Sequence, residues 1–487
     1  MSMPETETDR AEGLAAQGPP PWSRTLRIVG LVAVLLTGLH LFILGLGIPA
    51  LMMRPGWFWH LHDTELPLLA ALGVPLALVI MGVGRSVWSS SRPGLRHHLV
   101  LVATAAGLSV GVAAMEGSGL GALGIRLERS GHSEFVKAAL RRDRVSVEEI
   151  LTDYEALVLR QRLAYASTKP PGVLLTYVGL ERLINLGLPP AAEAERAARL
   201  KAVLTVLFPL LTALTLLPLG YLAVRLVPAP AAGAVGLLYL LAPNVLLVTM
   251  HLDGVLYPGL AVVLVAAAFR AWESGSPGWA LWTGLLVFVA TFLSFSLVPL
   301  AVLGLAPLVT SARTGPRRPV LFGLLAGALM PLGVLMLASG YSPMTRLERA
   351  LAAHARFAGL KPVPADVSPL DLALTNLLDW VLWIGLPLSA LWLLGSLRAI
   401  HLVLQRKSEV VDGLAVLLIA LVPVLAASPG TIGETARLWL FLLPFVALVA
   451  ARGLELVPAG RRGVVLSAVL ILQALLVVFT KKYQDFW

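Results

Sequence analysis

Cysteine is absent from this chain of 487 residues, which excludes disulfides, thiolate nucleophiles and zinc–thiolate sites. Charge is scarce as well. Asp, Glu, Lys and Arg make up 14% of the chain, against about 25% in a soluble globular protein whose surface must be wetted. Beside a hydrophobic content of 57%, that shortage excludes a soluble domain. There is no Walker-type phosphate loop either. Gly119-Leu120-Gly121-Ala122-Leu123-Gly124 spells a dinucleotide fingerprint, but it follows an apolar span rather than a strand, so that reading is rejected. Lys and Arg exceed Asp and Glu to give a formal net charge of +10. In a membrane protein this excess is first a topology signal and then a phosphate-handling signal, with no nucleic-acid partner.

Long apolar runs are what the chain does have. They lie near 28–53, 66–83, 99–115, 201–224, 233–250, 257–271, 279–293, 296–311, 320–339, 377–395, 413–427, 438–452 and 463–480. The expectation is an all-α, polytopic integral membrane protein of about thirteen spans, several of them short for a ~20-residue crossing. A disordered cytoplasmic N-terminus (1–25) precedes three spans (26–115). An extracytoplasmic loop with interfacial helices and a dipping segment follows (116–200), then the remaining bundle (201–480) and a tail (481–487). The first run is too long for the core of a signal peptide, and Arg24 and Arg27 flank it as an anchor.

Parity turns on one segment. Residues 173–189 begin apolar but contain Glu181 and Arg182. A crossing there would turn the Arg-rich connections at Arg313/Arg317/Arg318, Arg398/Arg406/Lys407 and Arg452/Arg461/Arg462 outward, against the positive-inside bias. The segment is therefore expected to dip without crossing. The long loop, the turn near 251–257, and the stretches 340–376 and 428–437 then face outward, with Lys481 and Lys482 on that side too.

Most spans carry no ionisable residue in their middles, which speaks against a pump. Polar residues gather in the outer loops, as in an enzyme working at the membrane surface. Within 116–172, Ile150, Leu151, Tyr154, Leu157, Val158 and Leu159 recur at helical spacing and predict an amphipathic helix along the membrane. The loop closes with Ser167-Thr168-Lys169-Pro170-Pro171-Gly172, which places a cation at headgroup depth before the chain re-enters the bilayer. Upstream stands Ser130-Gly131-His132-Ser133-Glu134-Phe135. Downstream stand His251-Leu252-Asp253-Gly254 and Gly433-Glu434-Thr435-Ala436-Arg437-Leu438-Trp439.

This arrangement resembles the GT-C class of membrane glycosyltransferases, in particular bacterial relatives of protein mannosyltransferases and of lipid A aminoarabinose and galacturonic acid transferases. That class carries an acidic site early in its first large outer loop, often Asp-Glu before an aromatic residue, and Lys-Pro-Pro further on. Ser133 stands here where the aspartate would be. The resemblance covers about 116–310. It implies a sugar donor on a polyprenyl phosphate, membrane lipids as partners, and a lipid, cell-wall glycan or protein as acceptor. It implies Glu134 as base or metal ligand and Asp253 as second acid and ligand, with a divalent ion, Mg or Mn, between them. Lys169 and Arg437 become phosphate partners, and His132 and Glu434 substrate contacts. The plasma (inner) membrane is the expected location. A transporter or lipid flippase, and a non-catalytic prenyl-lipid-binding relative, are the alternatives. Each residue also has a plain reading: Asp253 as a helix cap, Lys169 as a snorkelling lysine, Glu434 and Arg437 as a helix-turn pair. His60, His62, Asp63 and Glu65 are a weaker candidate metal group, with interfacial polarity the plainer reading.

Overall fold

Apolar runs punctuated by serine, proline and glycine fold here as helices joined by tight corners. The corner after Tyr257–Ser274 illustrates the local rule. Gly275 adopts φ 65°, the Ser276 hydroxyl accepts from the Trp279 N–H, and Pro277 opens the next helix, Pro277–Leu293. Where polar residues bound a run, they cap it: Glu409 and Asp412 form a reciprocal capping box on Val410–Ala426.

The computed structural model describes residues 23–47, 53–54, 57–58, 63–73, 93–129, 131, 133–189, 191–229, 231–310, 317–360 and 368–484. Apart from one two-residue antiparallel pairing, Met53–Arg54 with Trp57–Phe58, these residues are helical or in turns. Seven helices are long and apolar enough to cross a membrane: Arg24–Leu46, Leu95–Ala114, Glu193–Leu226, Leu252–Ser274, Arg317–Ser339, Leu386–Leu404 and Ala459–Tyr483. Shorter apolar helices cover Ala231–Leu240, Pro277–Leu293, Val410–Ala426 and Leu440–Leu454. The protein is thus a multi-pass, all-helical membrane protein. Small residues let its helices approach closely. A side chain on Gly395 would strike the Val449 carbonyl, and one on Gly453 the Leu391 carbonyl, so Leu386–Leu404 and Leu443–Leu454 meet backbone to backbone.

Two expected runs fold differently. The 377–395 run is divided by Gly385, at φ 90°, between helices Pro369–Ile384 and Leu386–Leu404. The 296–311 run breaks into 3-10 turns and one four-residue helix, with Pro299 and Pro307 among the interrupters. The 66–83 run lies mostly outside the described residues.

Residues 116–200 build a second apolar core, in which Phe135, Ile150, Tyr154, Leu157, Tyr177 and Phe208 pack together. The single amphipathic helix expected there is corrected to two helices, Val147–Thr152 and Tyr154–Gln161, with Asp153 at the junction. Of its apolar residues, Ile150, Tyr154, Leu157 and Val158 are covered by protein, while Leu159 stays exposed. The helix Gly172–Ile184 belongs to this unit. Its fully buried Glu181 is 2.9 Å from Arg142 and 3.3 Å from Arg196, which anchors it among loop residues.

The two ends of the bundle separate cleanly. Lys481 pairs with Glu116, and Lys482 lies 2.7 Å from Asp63, so the last helix ends beside the long loop. At the other end Arg398 and Arg452 lie 2.9 Å and 3.0 Å from Glu455.

Candidate functional site

Three stretches far apart in sequence converge at the end that carries the long loop. The first is the turn before Lys169. A proline forces the residue ahead of it into extended backbone, and Lys169, at φ −125° and ψ 156°, closes a 3-10 turn over Ala166–Thr168. The Glu134 carboxylate accepts from the Ala166 N–H at 2.9 Å and the Tyr165 N–H at 3.3 Å. The Tyr154 hydroxyl donates to the Ala166 carbonyl at 2.9 Å. Buried Arg346, from the helix Pro343–Leu360, donates to the Ser167 carbonyl and, at 2.7 Å, to Glu155. The loop that presents Lys169 is thus held by three side chains, Glu134, Tyr154 and Arg346.

The second stretch is Leu252–Val255, with Asp253 in its first turn, where the helix dipole favours an anion. The third is the turn Thr435–Leu438, which carries Arg437. Lys169 Nζ lies 3.0 Å from Asp253 Oδ1, and Arg437 Nη1 lies 2.6 Å from Asp253 Oδ2. Arg437 also pairs with Glu434 through Nη2. The ammonium of Lys169 stands 5.8 Å from the centre of the Tyr257 ring. Two cations and two acids therefore alternate in one chain, Lys169–Asp253–Arg437–Glu434, buried at Lys169 and Asp253 and half-buried at Arg437 and Glu434.

Burial sets the electrostatics of this centre. It draws the Lys169 ammonium below the usual lysine range; Asp253 opposes the shift and Arg437 adds to it. Burial also acts against the Arg437 charge, but Asp253 and Glu434 outweigh it and hold the guanidinium above its ordinary range. Neighbouring His251 is pushed down to about 3, mainly by burial and then by Arg437, so it is neutral. Burial raises the Glu134 carboxyl, with the N–H groups of Ala166, Tyr165 and Ala164 opposing.

One cavity opens on Lys169, and a second lies along the helix that follows Asp253. The first, of about 430 Å³, is lined by Lys169, Ser294, Ser296, His354, Thr431 and Trp439, among others. The other is an apolar groove of about 320 Å³ between Leu214, Val255, Leu256, Gly259, Val263 and Leu293. Sequence neighbours Leu293 and Ser294 line the groove and the cavity respectively. A polar-ended pocket of this size beside convergent charges has the features of a small-molecule site.

The structure brings together four of the six residues singled out by sequence, Lys169, Asp253, Glu434 and Arg437. Glu134 binds the loop that presents Lys169. His132 lies outside the described residues, as do His60 and His62, while Asp63 is engaged by Lys482. The donor set does not suit a divalent ion: both Asp253 oxygens face cations and Glu134 faces backbone N–H groups. Among the described residues no group of three His, Asp or Glu is placed to hold one. Sequence reading missed Arg346, His354 and Tyr257. The one available signal was amphipathic spacing across 343–360, where Leu347, Ala350, Leu351 and His354 share the cavity-facing side.

No protein-family model, curated protein or solved structure matches this chain.

Proposed function

We propose that the protein is a GT-C-type membrane glycosyltransferase of about thirteen crossings, working at the outer face of a plasma membrane. It takes a sugar from a polyprenyl-phosphate donor and gives it to a lipid, cell-wall glycan or protein acceptor. One observation carries the reading: Lys169 and Arg437, 268 positions apart in the chain, converge on Asp253, with a mixed cavity against Lys169 and an apolar groove along the helix after Asp253. An isoprenoid chain suits the groove, and its phosphate suits the two cations.

The chemistry follows from that placement. The acceptor oxygen attacks the anomeric carbon, the bond from that carbon to the phosphate oxygen breaks, and the phosphate departs with the bonding electrons. Lys169 and Arg437 stabilise the charge that grows on it, in a site where burial strengthens their effect. The acceptor proton passes to a carboxylate, for which Asp253 and Glu134 are the candidates. Asp253 is available once the phosphate has displaced it from a cation. No step is routed through a metal.

A second reading has its own support. With Asp253 held by two cations and Glu134 by backbone, neither of these two carboxylates stands open as a base, which favours a non-catalytic protein that binds a prenyl phosphate. Reconstituting the protein in vesicles with a bacterial extract of lipid-linked sugars separates the two. Release of free polyprenyl phosphate, absent in Lys169→Met, supports the transferase. Binding without release supports the second reading, and neither binding nor release refutes both.

A further inference from the structure

The phosphate-binding role given to Arg437 depends on a short turn, because a four-residue helix has little rigidity of its own. Something else must fix the guanidinium. Four polar side chains from the membrane bundle do so. The Thr435 hydroxyl donates to Asp379 Oδ2, and the Trp383 indole N–H donates to the other oxygen, Oδ1, at 3.1 Å. Asn376, one turn earlier on the same helix Pro369–Ile384, donates to the Ala426 carbonyl at 2.8 Å and the Ser428 carbonyl at 3.2 Å. From a different helix, Asn244 donates to the Ala436 carbonyl at 3.1 Å. All five side chains involved are buried. Trp380 adds an edge-to-face contact with Trp439, ring centres 5.7 Å apart, directly after the turn.

A charged residue in a lipid-embedded bundle is costly and is kept where it has a task. The Asp379 carboxylate accepts from the Thr435 hydroxyl and the Trp383 indole. The Thr435 bond ties this carboxylate to the base of the Glu434–Arg437 turn, and the Trp383 bond, from one turn along the same helix, orients it. From Thr435, the next backbone contact is Ala436 with Asn244, and the next side chain is Arg437 on Asp253. The network therefore reaches the ionic centre residue by residue.

We infer that Asp379 and Thr435, supported by Asn376 and Asn244, are positioning residues that hold Arg437 at the phosphate-binding centre. The inference rests on the functional reading above and deepens it, since it names what aims one of the two cations. It separates recognition of the phosphate from recognition of the isoprenoid chain: the network touches the first and leaves the groove at Leu214, Val255 and Gly259 unaltered.

The test uses the full-length protein in detergent and two probes, farnesyl phosphate and farnesol, titrated by native mass spectrometry. The readout is the ratio of their affinities, which loss of correctly folded protein does not change. Thr435→Val keeps shape and removes the hydroxyl. It is expected to lower the phosphate-to-alcohol preference about tenfold, as loss of a hydrogen bond serving a charged group does, with farnesol binding unchanged. Thr435→Ser restores the preference. Asp379→Asn, which keeps one acceptor oxygen, gives an intermediate loss and serves if Thr435→Val does not fold. A preference kept at the wild-type value in Thr435→Val, or in Asp379→Asn where the first variant does not fold, overturns the positioning role and leaves the functional reading standing. A wild-type protein that binds farnesol as tightly as farnesyl phosphate removes the functional reading itself, and this inference with it.

Discussion

Asp253→Asn tests the charge balance at the centre of the account, and its expected outcome runs against intuition. Asp253 neutralises two cations, at 3.0 Å and 2.6 Å. At an effective dielectric constant near 20, a unit pair at such a separation interacts by about 6 kcal/mol before desolvation is counted. Removing one partner of a buried pair typically costs about 3–5 kcal/mol, because the other charge is left without compensation. In Asp253→Asn, Lys169 loses this carboxylate and Arg437 keeps Glu434. An arriving phosphate then meets two cations without first displacing an internal anion. If it recovers even a third of the lost interaction, about 1.4 kcal/mol, affinity rises about tenfold. The variant is thus expected to melt at lower temperature, bind farnesyl phosphate more tightly and release no polyprenyl phosphate. Isothermal titration in detergent reads the affinity. Weaker binding in a folded Asp253→Asn protein would refute the reasoning, and weaker binding reversed by Mn would show that the carboxylate recruits a metal.

Four further outcomes follow from the same geometry. Lys169→Met is expected to abolish phosphate preference while its melting temperature stays level or rises, since burial opposes the Lys169 charge and Asp253 keeps Arg437; a parallel melt and titration checks this. Phosphate affinity is expected to fall with rising pH, because Lys169 titrates below the ordinary lysine value. A lowered folded-state value also means that stability contributed by this group is lost as pH falls through it, so binding and stability move in opposite directions on the alkaline side. Glu134→Ala is expected to weaken phosphate binding more than Glu134→Gln, by about 1 kcal/mol, and to speed hydrogen exchange at Tyr165 and Ala166, because glutamine keeps one acceptor oxygen for their N–H groups. Glu181→Gln leaves Arg196 and half-exposed Arg142 without their carboxylate and is expected to destabilise the 116–200 unit by about 3 kcal/mol, seen as faster proteolysis of that unit.

Much of the architecture was legible because lipid imposes a simple rule: apolar residues outward, backbone bonds satisfied within each helix. Runs such as 320–339 and 463–480 match Arg317–Ser339 and Ala459–Tyr483 closely. What composition could not foresee was where a run breaks. Gly385 and the prolines at 299 and 307 interrupt stretches whose hydropathy is continuous, since hydropathy does not register backbone angle. The covered face of Ile150–Val158 misled for a related reason: an amphipathic pattern is the same whether protein or lipid covers it. At the site, residue types were legible and their partners were not. Lys169, Asp253 and Arg437 each stand at a turn next to a span, which marks them. That both cations share one carboxylate is a product of tertiary packing. Asp379 did stand inside an apolar run, and the cost of an acid there was the available signal. Its partner Thr435 could not be read without the fold.

Orientation can be tested with unusual economy, because the chain has no cysteine to mask. Asp143→Cys, on an exposed side chain of the long loop, is expected to react with an impermeant maleimide in intact cells, and Lys407→Cys only after permeabilisation. The most direct measurement, however, is of the lipid itself. Purified wild-type protein, extracted gently and analysed by lipid mass spectrometry, is expected to carry polyprenyl phosphate, and Lys169→Met and Arg437→Met to have lost it. Equal amounts in all three proteins, or only phospholipid in the wild type, would contradict the claim that these two cations hold a prenyl-linked phosphate.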